Sequence, residues 1–310
     1  MAKQNEVVAV FPVATDQLVV VHKEPVGRDS LEAHQYRLQS GTAVRNAEVD
    51  PEQPTRVRLS IAAIESEAVV VDSLLSAGAA ASIDFIHGPL TPMDLKVPYV
   101  NPAFPFASTL LGRHVTVMCC TGCNGGIHGR FLVVLNNHSG GPWSSIWVKT
   151  PKQIEIPYPR WQRVMFAGGI LSELNGSTTV VDPGWMIIQK SDEQAHHAPP
   201  PLPVETVDLP AGGSRSLLAK SLDATWVQFD DIVLHRVRRV PDNELAGDDL
   251  PKTEIEFGDK SGGRSVGWLY QSSREALSDG QRLEWLRGFV HAEAPGRYIL
   301  LSDKDEDLSP

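Results

Sequence analysis

The sequence predicts an all-β protein in which a β-sandwich is followed by two small closed β-barrels. Three features lead to this fold class. Short runs of β-branched residues alternate in character with the period of two that a strand has. Glycine-rich turns separate these runs, and two proline-rich stretches divide the 310 residues into three modules.

The first barrel, predicted within residues 105–190, has the clearest strand pattern. Residues 114–119 alternate as an opening strand, and a glycine-rich hairpin turn is expected at 121–126. Five strands with glycine-marked corners are typical of an OB-like barrel. The four later strands are predicted at 131–135, 145–150, 162–171 and 177–182.

The second barrel is predicted within residues 216–310 and has the same pattern of alternating runs and turns. Its alternating runs are again of strand length, and the turn after the second run has the sequence GDKSGG. The sequence therefore predicts a second OB-like barrel. Its five strands are expected at 225–236, 252–258, 264–270, 281–293 and 296–301.

Both barrels resemble the tandem OB-fold domains that precede the catalytic domain in secreted bacterial nucleases of the endonuclease/exonuclease/phosphatase group. The resemblance implies non-catalytic modules and carries no catalytic residue, because it covers only the domains beside the active one. Cys119 and Cys120 depart from the family pattern, which has small or apolar residues there. The matching residues are Gly112, Val115, Thr116, Val117, Gly129, Phe131, Leu132, Ser145, Ile146, Val148, Val164, Gly168, Ile170, Glu173, Gly176 and Thr178 in the first barrel, and Leu222, Trp226, Val227, Phe257, Gly258, Asp259, Gly280, Leu283, Leu286, Gly288, Val290, Gly296, Tyr298, Leu300, Asp307 and Leu308 in the second.

Residues 1–85 are predicted to form an Ig-like β-sandwich. Five short β-branched runs lie between positions 6 and 76, separated by turn residues. Their order resembles the Ig-like modules of bacterial surface and extracellular proteins, which space or display other domains, so the plain interpretation is a structural spacer. His22 stands where that family has Phe. The matching residues are Val20, Val21, Pro25, Val26, Gln35, Tyr36, Leu38, Val57, Leu59, Val69 and Val71.

Two proline-rich linkers are predicted between the modules. The prolines of residues 86–104 should stop regular structure. Residues 191–215 contain three consecutive prolines, which favour a polyproline II spacer. His196 and His197 in this second linker are candidate metal ligands, but the pattern fixes no tetrahedral geometry for them.

The charge distribution limits the classes of partner. The chain carries a net charge of −10, yet its central barrel has more cations than anions while both flanking parts are acidic. Overall acidity argues against strong non-specific binding of nucleic acid, because phosphate contacts need cationic side chains. The basic central barrel leaves room for a confined anion site.

A cluster of aromatic and cationic residues in the first barrel predicts a ligand-binding face. OB barrels bind single strands by stacking bases on aromatic rings and by attracting phosphates. Strand alternation puts Trp147 and Lys149 on one side, opposite Val148. The alternative is that these tryptophans seal the barrel ends. The candidate binding residues are Arg113, Arg130, Trp143, Trp147, Lys149, Lys152 and Arg160, with Trp161 beside them, whereas Trp226, Trp268 and Trp285 of the second barrel are predicted to be core residues.

The Cys119–Cys123 segment permits three interpretations. Cys120 and Cys123 have a CxxC spacing that suits zinc, with His128 as a third ligand. A structural zinc site normally has four protein ligands. A redox pair would be expected at a helix N-terminus, not in a strand and turn. The third interpretation is free thiols or one local disulfide. Cys119 and Cys120 are expected on opposite faces of one strand, and no zinc or other cofactor is assigned.

No convincing catalytic motif occurs in the sequence. Gly263 to Gly267 spells GxSxG, but a glycine turn precedes Ser265 and a strand follows it, which is the wrong context for a nucleophile elbow. The expectation therefore leans against an enzyme. An alternative is a metal- or thiol-dependent enzyme that uses the Cys119–Cys123 segment.

The sequence also constrains location. No apolar run approaches the roughly 18 residues of a membrane helix, and the N-terminal residues lack a signal-peptide pattern. The resemblance implies an extracytoplasmic protein, whereas the N-terminus fits an intracellular one or one whose signal was removed. The compartment stays open.

Three functions follow from these observations. The favoured one is a non-catalytic binding or scaffold protein, with a protein partner or an extracellular polymer. The second is an accessory single-stranded nucleic-acid binder that uses the first barrel. The third is the metal- or thiol-dependent enzyme.

Overall fold

The fold is described from a computed structural model. It covers the chain except residues 1–4, 28–30, 65–68, 77–81, 97, 100–105, 128–129, 137–139, 151–160, 162, 184, 189–198, 242–243, 246–250, 271–276, 303–306 and 310. The all-β prediction with two OB-like barrels is confirmed by the strand pairing given below.

The N-terminal module is a sandwich of two sheets. In the first sheet, β1 (Val7–Ala14), β2 (Gln17–His22), β4 (Val44–Val49) and β5 (Arg56–Ile61) lie in the order β1-β2-β5-β4. In the second, β3 (Tyr36–Leu38), β6 (Val71–Ser76) and β7 (Ile83–Leu90) lie in the order β3-β6-β7. These two orders are those of the ABED and CFG sheets of a seven-stranded immunoglobulin sandwich.

Alternating apolar residues fill the space between the two sheets. Leu18 and Val20 of β2 and Val57 and Leu59 of β5 point to the same interior as Phe85 of β7. Each of these strands turns every second side chain inward, as the period-two pattern predicts. The sandwich therefore has a hydrophobic core of its own.

Strand β7 belongs to the sandwich and to the next module at once. It pairs antiparallel with β6 and parallel with β10 (His114–Ile127). The predicted linker 86–104 is thus corrected: it begins inside β7 and holds a helix, α1 (Pro92–Leu95), and β8 (Pro98–Tyr99), which pairs with β9 (Ala107–Ser108). Pro89 does not end the pairing because it lies at a register shift of the ladder.

The central module is a closed five-stranded barrel. Its strands follow the order β10-β11-β12-β14-β13, and β13 pairs back onto β10 to close the ring. The one parallel contact joins β12 and β14. This is the topology of the OB fold. The other strands are β11 (Arg130–Asn136), β12 (Ser145–Thr150), β13 (Arg163–Leu174) and β14 (Ser177–Val181), and β15 (Trp185–Ile188) extends the sheet beside β13.

The glycine-rich turn predicted at 121–126 is wrong, because that segment is part of β10. Gly126 pairs with Phe131 and Thr121 with Leu135, with an irregularity between Thr121 and Asn124. Glycines within a strand accompany such bulges. The composition was that of a turn, but the pairing with β11 kept the segment extended.

The C-terminal module repeats the closed-barrel topology. Its strands follow the order β17-β18-β19-β21-β20, β20 pairs back onto β17, and β19 runs parallel to β21. A short helix, α2 (Leu217–Leu222), precedes the barrel, and Ser216 caps it by accepting a hydrogen bond from the Ala219 amide. The strands are β17 (Trp226–Arg239), β18 (Thr253–Gly258), β19 (Ser265–Leu269), β20 (Arg282–Ala294) and β21 (Arg297–Ser302), flanked by β16 (Leu202–Pro203) and β22 (Leu308–Ser309).

The sandwich packs closely on the central barrel. Phe11 and Val19 of the sandwich and Ala167 of β13 form a small buried cluster. Gly168 has φ +79°, and a Cβ there would lie 2.5 Å from Cδ1 of Phe11. Glycine is therefore required at this position both for its backbone conformation and for the close approach of the ring.

Candidate functional site

The two barrels meet through an apolar cluster, called here the interbarrel cluster. The Trp226 ring lies 4.8 Å from Phe289 and 5.8 Å from Trp161, measured between ring centroids. Tilted and edge-to-face pairs at these separations are favourable aromatic geometries. Residues from both barrels thus share one buried patch. Its buried members are Trp147, Trp161, Ala224, Trp226, Trp268, Phe289, Ile299 and Leu301.

Trp147 shows how β12 supplies this cluster. Ile146 and Val148 point into the core of the central barrel, so Trp147 points outward, as the period-two pattern predicts. The outward face is covered, because Trp147 is only 1% exposed and meets His291 of β20 edge-on at 5.2 Å. The third strand of an OB barrel belongs to its usual ligand-binding face. Here the second barrel occupies that position.

The predicted stacking role of Trp147 must be corrected. A ring that is 1% exposed cannot stack on a nucleic-acid base unless the two barrels separate. The sequence prediction failed because strand alternation tells which side a residue faces, but not what covers that side. The prediction that Trp226, Trp268 and Trp285 are core residues of the second barrel is also modified. Trp226 and Trp268 are buried, but in the interbarrel cluster, and Trp285 is only half-buried.

Two other tryptophans of the central barrel have unusual backbones. Trp143 and Trp161 have φ values of 63° and 72°, in the left-handed region that non-glycine residues rarely occupy. The Trp143 amide donates a hydrogen bond of 2.7 Å to the Ser221 carbonyl of α2. Strained conformations persist where the surrounding structure holds them. Here the contact with the segment before the second barrel supplies that restraint at Trp143.

Two of the predicted cations, Arg113 and Lys149, have described side chains. The Arg113 guanidinium lies 3.5 Å from the Asp84 carboxylate of β7, at the sandwich. Lys149 is half-buried on β12. Lys152, Arg160 and the side chain of Arg130 lie outside the described part of the structure, so their role stays a prediction.

The cysteine segment is described only in its backbone. Cys119 pairs with Val164 and Cys120 with Arg163, so both lie within β10, and Cys123 falls at the irregularity of the ladder. The three side chains and all of His128 lie outside the described part of the structure. The zinc, thiol and disulfide interpretations stay predictions. Among the described residues, no group of three His, Cys, Asp or Glu side chains is placed to hold a metal.

Beside the interbarrel cluster lies a group of four buried charges, called here the ion cluster: Lys96, Glu173, Lys220 and Asp223. The Lys220 ammonium forms an ion pair with the Glu173 carboxylate and donates to the Gly176 carbonyl at 2.6 Å. The Lys96 ammonium donates to the Asp223 carbonyl at 2.7 Å and lies 3.8 Å from its carboxylate. Two cations therefore balance two anions.

Hydroxyl groups complete much of the hydrogen bonding of this cluster. Ser177 donates to the Asp223 carboxylate at 2.6 Å, and Thr178 donates to the Glu173 carboxylate at 3.0 Å. The second carboxylate oxygen of Asp223 is buried and has no hydrogen-bond partner in the described structure. Burying charge is costly unless the groups are paired and hydrogen-bonded. The cluster meets most of that requirement.

Burial changes the proton affinity of the ion cluster. It lowers the pKa of Lys96 to about 8, because desolvation outweighs the attraction of Asp223. It raises the pKa of Glu173, because desolvation outweighs the neighbouring Lys220 charge. Sequence reasoning noted Glu173 only as a residue of the OB-domain pattern and missed the cluster itself, since the pairing comes only from the packing of distant segments.

The GxSxG serine is held in a structural bond. Ser265 is 2% exposed, begins β19, and its hydroxyl donates to the Leu209 carbonyl at 2.7 Å. That bond ties β19 to the segment before α2. The position inside a strand is the one predicted, and it lacks the strand-turn-helix geometry of a nucleophile elbow.

A buried histidine–aspartate pair in the sandwich is the other polar site missed by sequence reasoning. His87 of β7 contacts the Asp72 carboxylate of β6 at 2.8 Å, and Ser40 donates to that carboxylate at 2.6 Å. A cavity of about 140 Å³ lies beside His87, lined also by Thr15, Ile64, Val70 and residues 88–90. The pair fixes the orientation of the imidazole.

No family model and no curated protein sequence matches the chain. The Ifi202 HINa domain, solved in complex with a 20bp dsDNA, is 8% identical over 60% of this chain and 91% of that chain, with a TM-score of 0.28. A HINb domain is 11% identical over 56% of this chain and 80% of that chain, with a TM-score of 0.22.

TM-scores this low do not establish a common fold, so the OB topology rests on the strand pairing described above. The resemblance to nuclease-associated modules stays a prediction. In the described part of the chain, no helix is long and apolar enough to cross a membrane.

Proposed function

We propose that the chain is a non-catalytic scaffold that holds a sandwich and two OB barrels in a fixed series for a protein partner. One observation carries this proposal. Trp147 and Trp268, on the third strand of each barrel, are both buried in the interbarrel cluster. Outward aromatic residues of the usual OB ligand face thus join the modules, where an open ligand face would leave them exposed.

Continuous contacts along the chain support a fixed arrangement. Strand β7 links the sandwich to the central barrel through a parallel ladder, and Phe11 packs against Gly168. The interbarrel and ion clusters then fix the second barrel. Large apolar interfaces suppress relative motion of modules. A partner bound to one module would therefore be held at a set position relative to the others.

The outer surface of the second barrel favours protein over nucleic acid. Arg238 pairs with Glu254 at 3.1 Å and with Glu244 at 2.9 Å, and Arg264 pairs with Glu256 at 2.8 Å. Surfaces with both signs of charge provide specificity towards a complementary protein. Strong nucleic-acid binding needs cations that are available to phosphates, and these arginines already have carboxylate partners.

Calorimetry and a gel shift test the proposal together. The two barrels should unfold in one coupled transition, and Trp147→Ala should split or lower that transition, whereas Trp285→Ala on the half-buried outer face of the second barrel should leave it coupled. Two independent barrel transitions in the unmodified protein would refute a fixed scaffold.

The gel shift addresses the nucleic-acid alternative. A single-stranded oligonucleotide at low salt should give no retarded band. A band that weakens steeply with salt, and less steeply after Lys149→Ala, would support the nucleic-acid binder against the scaffold.

A further inference from the structure

The ion cluster joins three separate parts of the chain. Lys96 follows α1, Glu173 lies near the end of β13 in the central barrel, and Lys220 and Asp223 lie in and just after α2, before the second barrel. The Lys96 bond to Asp223 spans 127 positions in the sequence. The cluster therefore exists only while the two barrels are in contact.

The closed contact excludes water from all four groups. The side chains of Lys96 and Asp223 are 0% exposed, and those of Lys220 and Glu173 are almost as buried. If the barrels separate, all four groups return to water, and Lys96 and Glu173 return to their ordinary proton affinities. Opening of the contact and binding of protons are thus linked equilibria.

We propose that the ion cluster makes the contact between the two barrels a pH-sensitive latch, which tightens in alkaline solution as Lys96 loses its proton. This inference goes beyond the scaffold role, because a scaffold needs no response to pH. The latch sits beside the interbarrel cluster, so loosening it gives solvent access to Trp147 and Trp268.

The direction follows from the proton affinities of the closed and open states. Enclosure lowers the pKa of Lys96 from 10.5 to about 8. Between these values the open form keeps the proton and the closed form does not, so closing releases a proton and rising pH favours closure. Below about pH 8 both forms are protonated, and this contribution to the pH dependence disappears.

The groups that face Lys96 determine the size of the effect. Desolvation lowers the pKa of Lys96, and the charge of Lys220 lowers it further. Together they outweigh Asp223 and Glu173, which favour the charged form. On α1, the element that precedes Lys96, the Asp94 carboxylate accepts a hydrogen bond from the Thr91 hydroxyl. Tyr298 of the second barrel faces Asp223 and Glu173, and burial raises its pKa, so its hydroxyl keeps its proton in this window. Burial raises the pKa of Glu173, and the charge of Lys220 opposes that rise.

Thermal unfolding between pH 7 and pH 10 tests the latch. Fluorescence of the buried tryptophans reports the contact, and Lys96→Met removes the titrating group at nearly constant volume. The unfolding midpoint of the unmodified protein should rise relative to that of Lys96→Met by about 2–4 °C or more over this range. Lys23→Met, at an exposed lysine paired with Glu6, is the matched control and should parallel the unmodified protein.

Parallel pH profiles for Lys96→Met and the unmodified protein would overturn the latch. If Lys96→Met does not fold, Lys96→Arg keeps a permanent charge and should flatten the alkaline rise. If neither variant folds, the unmodified protein is unfolded calorimetrically at pH 9 in two buffers of different ionisation enthalpy. Uptake of about one proton on unfolding supports the latch, and no uptake overturns it.

Discussion

The contact between the barrels has two halves that are equally buried but physically different. The interbarrel cluster is made of rings and aliphatic side chains such as Trp226, Phe289 and Leu301. The ion cluster is made of two lysines and two carboxylates with hardly any exposed side-chain surface. Apolar burial contributes stability that varies little with pH. The attraction between buried charges is largely offset by the free-energy cost of removing them from water.

This difference indicates separate tasks for the two halves. The apolar half supplies most of the free energy that holds the barrels together. The ionic half fixes the orientation of the two barrels, because the Lys220 ammonium must bond both the Glu173 carboxylate and the Gly176 carbonyl in one geometry. It also contributes the response to pH. Removing residues from each half should therefore have unequal and recognisable effects.

The largest effect is expected from Trp226→Ala in the apolar half. Trp226 contacts Trp161 and Phe289. Truncating a buried tryptophan to alanine lowers the free energy of unfolding by about 3–5 kcal/mol, and a loss of this size is expected here. The urea midpoint of unfolding should fall accordingly, and the loss should be nearly the same at pH 7 and pH 9. Trp285→Ala, where the ring is half-buried under Arg287 at 4.0 Å, should cost clearly less. Equal losses in the two variants would mean that the interbarrel cluster is not the main contact.

Strand pattern and strand pairing explain which parts of the fold were predictable. The alternation in β12 correctly placed Val148 and Trp147 on opposite faces, because a pleated strand allows no other arrangement. The end of a strand depends on its partner, so the turn predicted at 121–126 and the linker predicted from residue 86 were both wrong. Local composition does not show how far a ladder extends, whether the partner is the next strand, as for β10 and β11, or a strand of another module, as for β7 and β10.

The site was less predictable than the fold for the same reason. The sequence indicated aromatic rings on an outer barrel face, yet it did not show that the second barrel covers them. The ion cluster left no local signal at all, since Lys96 and Asp223 come together only through tertiary packing. A lysine after a short helix is ordinarily exposed.

The second largest effect is expected from Lys220→Met in the ionic half. It should lower the free energy of unfolding by about 3 kcal/mol, less than Trp226→Ala does. Removing one partner of a buried pair leaves the Glu173 carboxylate without its neutralising charge. The pKa of Glu173, already raised by burial, should rise further. The loss should therefore shrink as the pH falls, because a protonated Glu173 no longer needs the cation. Urea unfolding at pH 7 and pH 5 measures this, and a loss that grows in acid would contradict the role of Glu173.

The smallest effect is expected when both partners are replaced, in the double variant Glu173→Met with Lys220→Met. Replacing a buried ion pair by apolar side chains of similar volume is often neutral or stabilising. Lys96 and Asp223 still balance each other, while the Gly176 carbonyl loses a donor and Thr178 loses an acceptor. The free energy of unfolding should therefore return to within about 1 kcal/mol of the unmodified protein. The double variant should also lose the acid-side pH dependence that Lys220→Met shows, while the apolar half still couples the barrels in one transition. A double variant as unstable as Lys220→Met alone would mean that the ion pair itself, and not the avoidance of an unpaired charge, holds this half of the contact together.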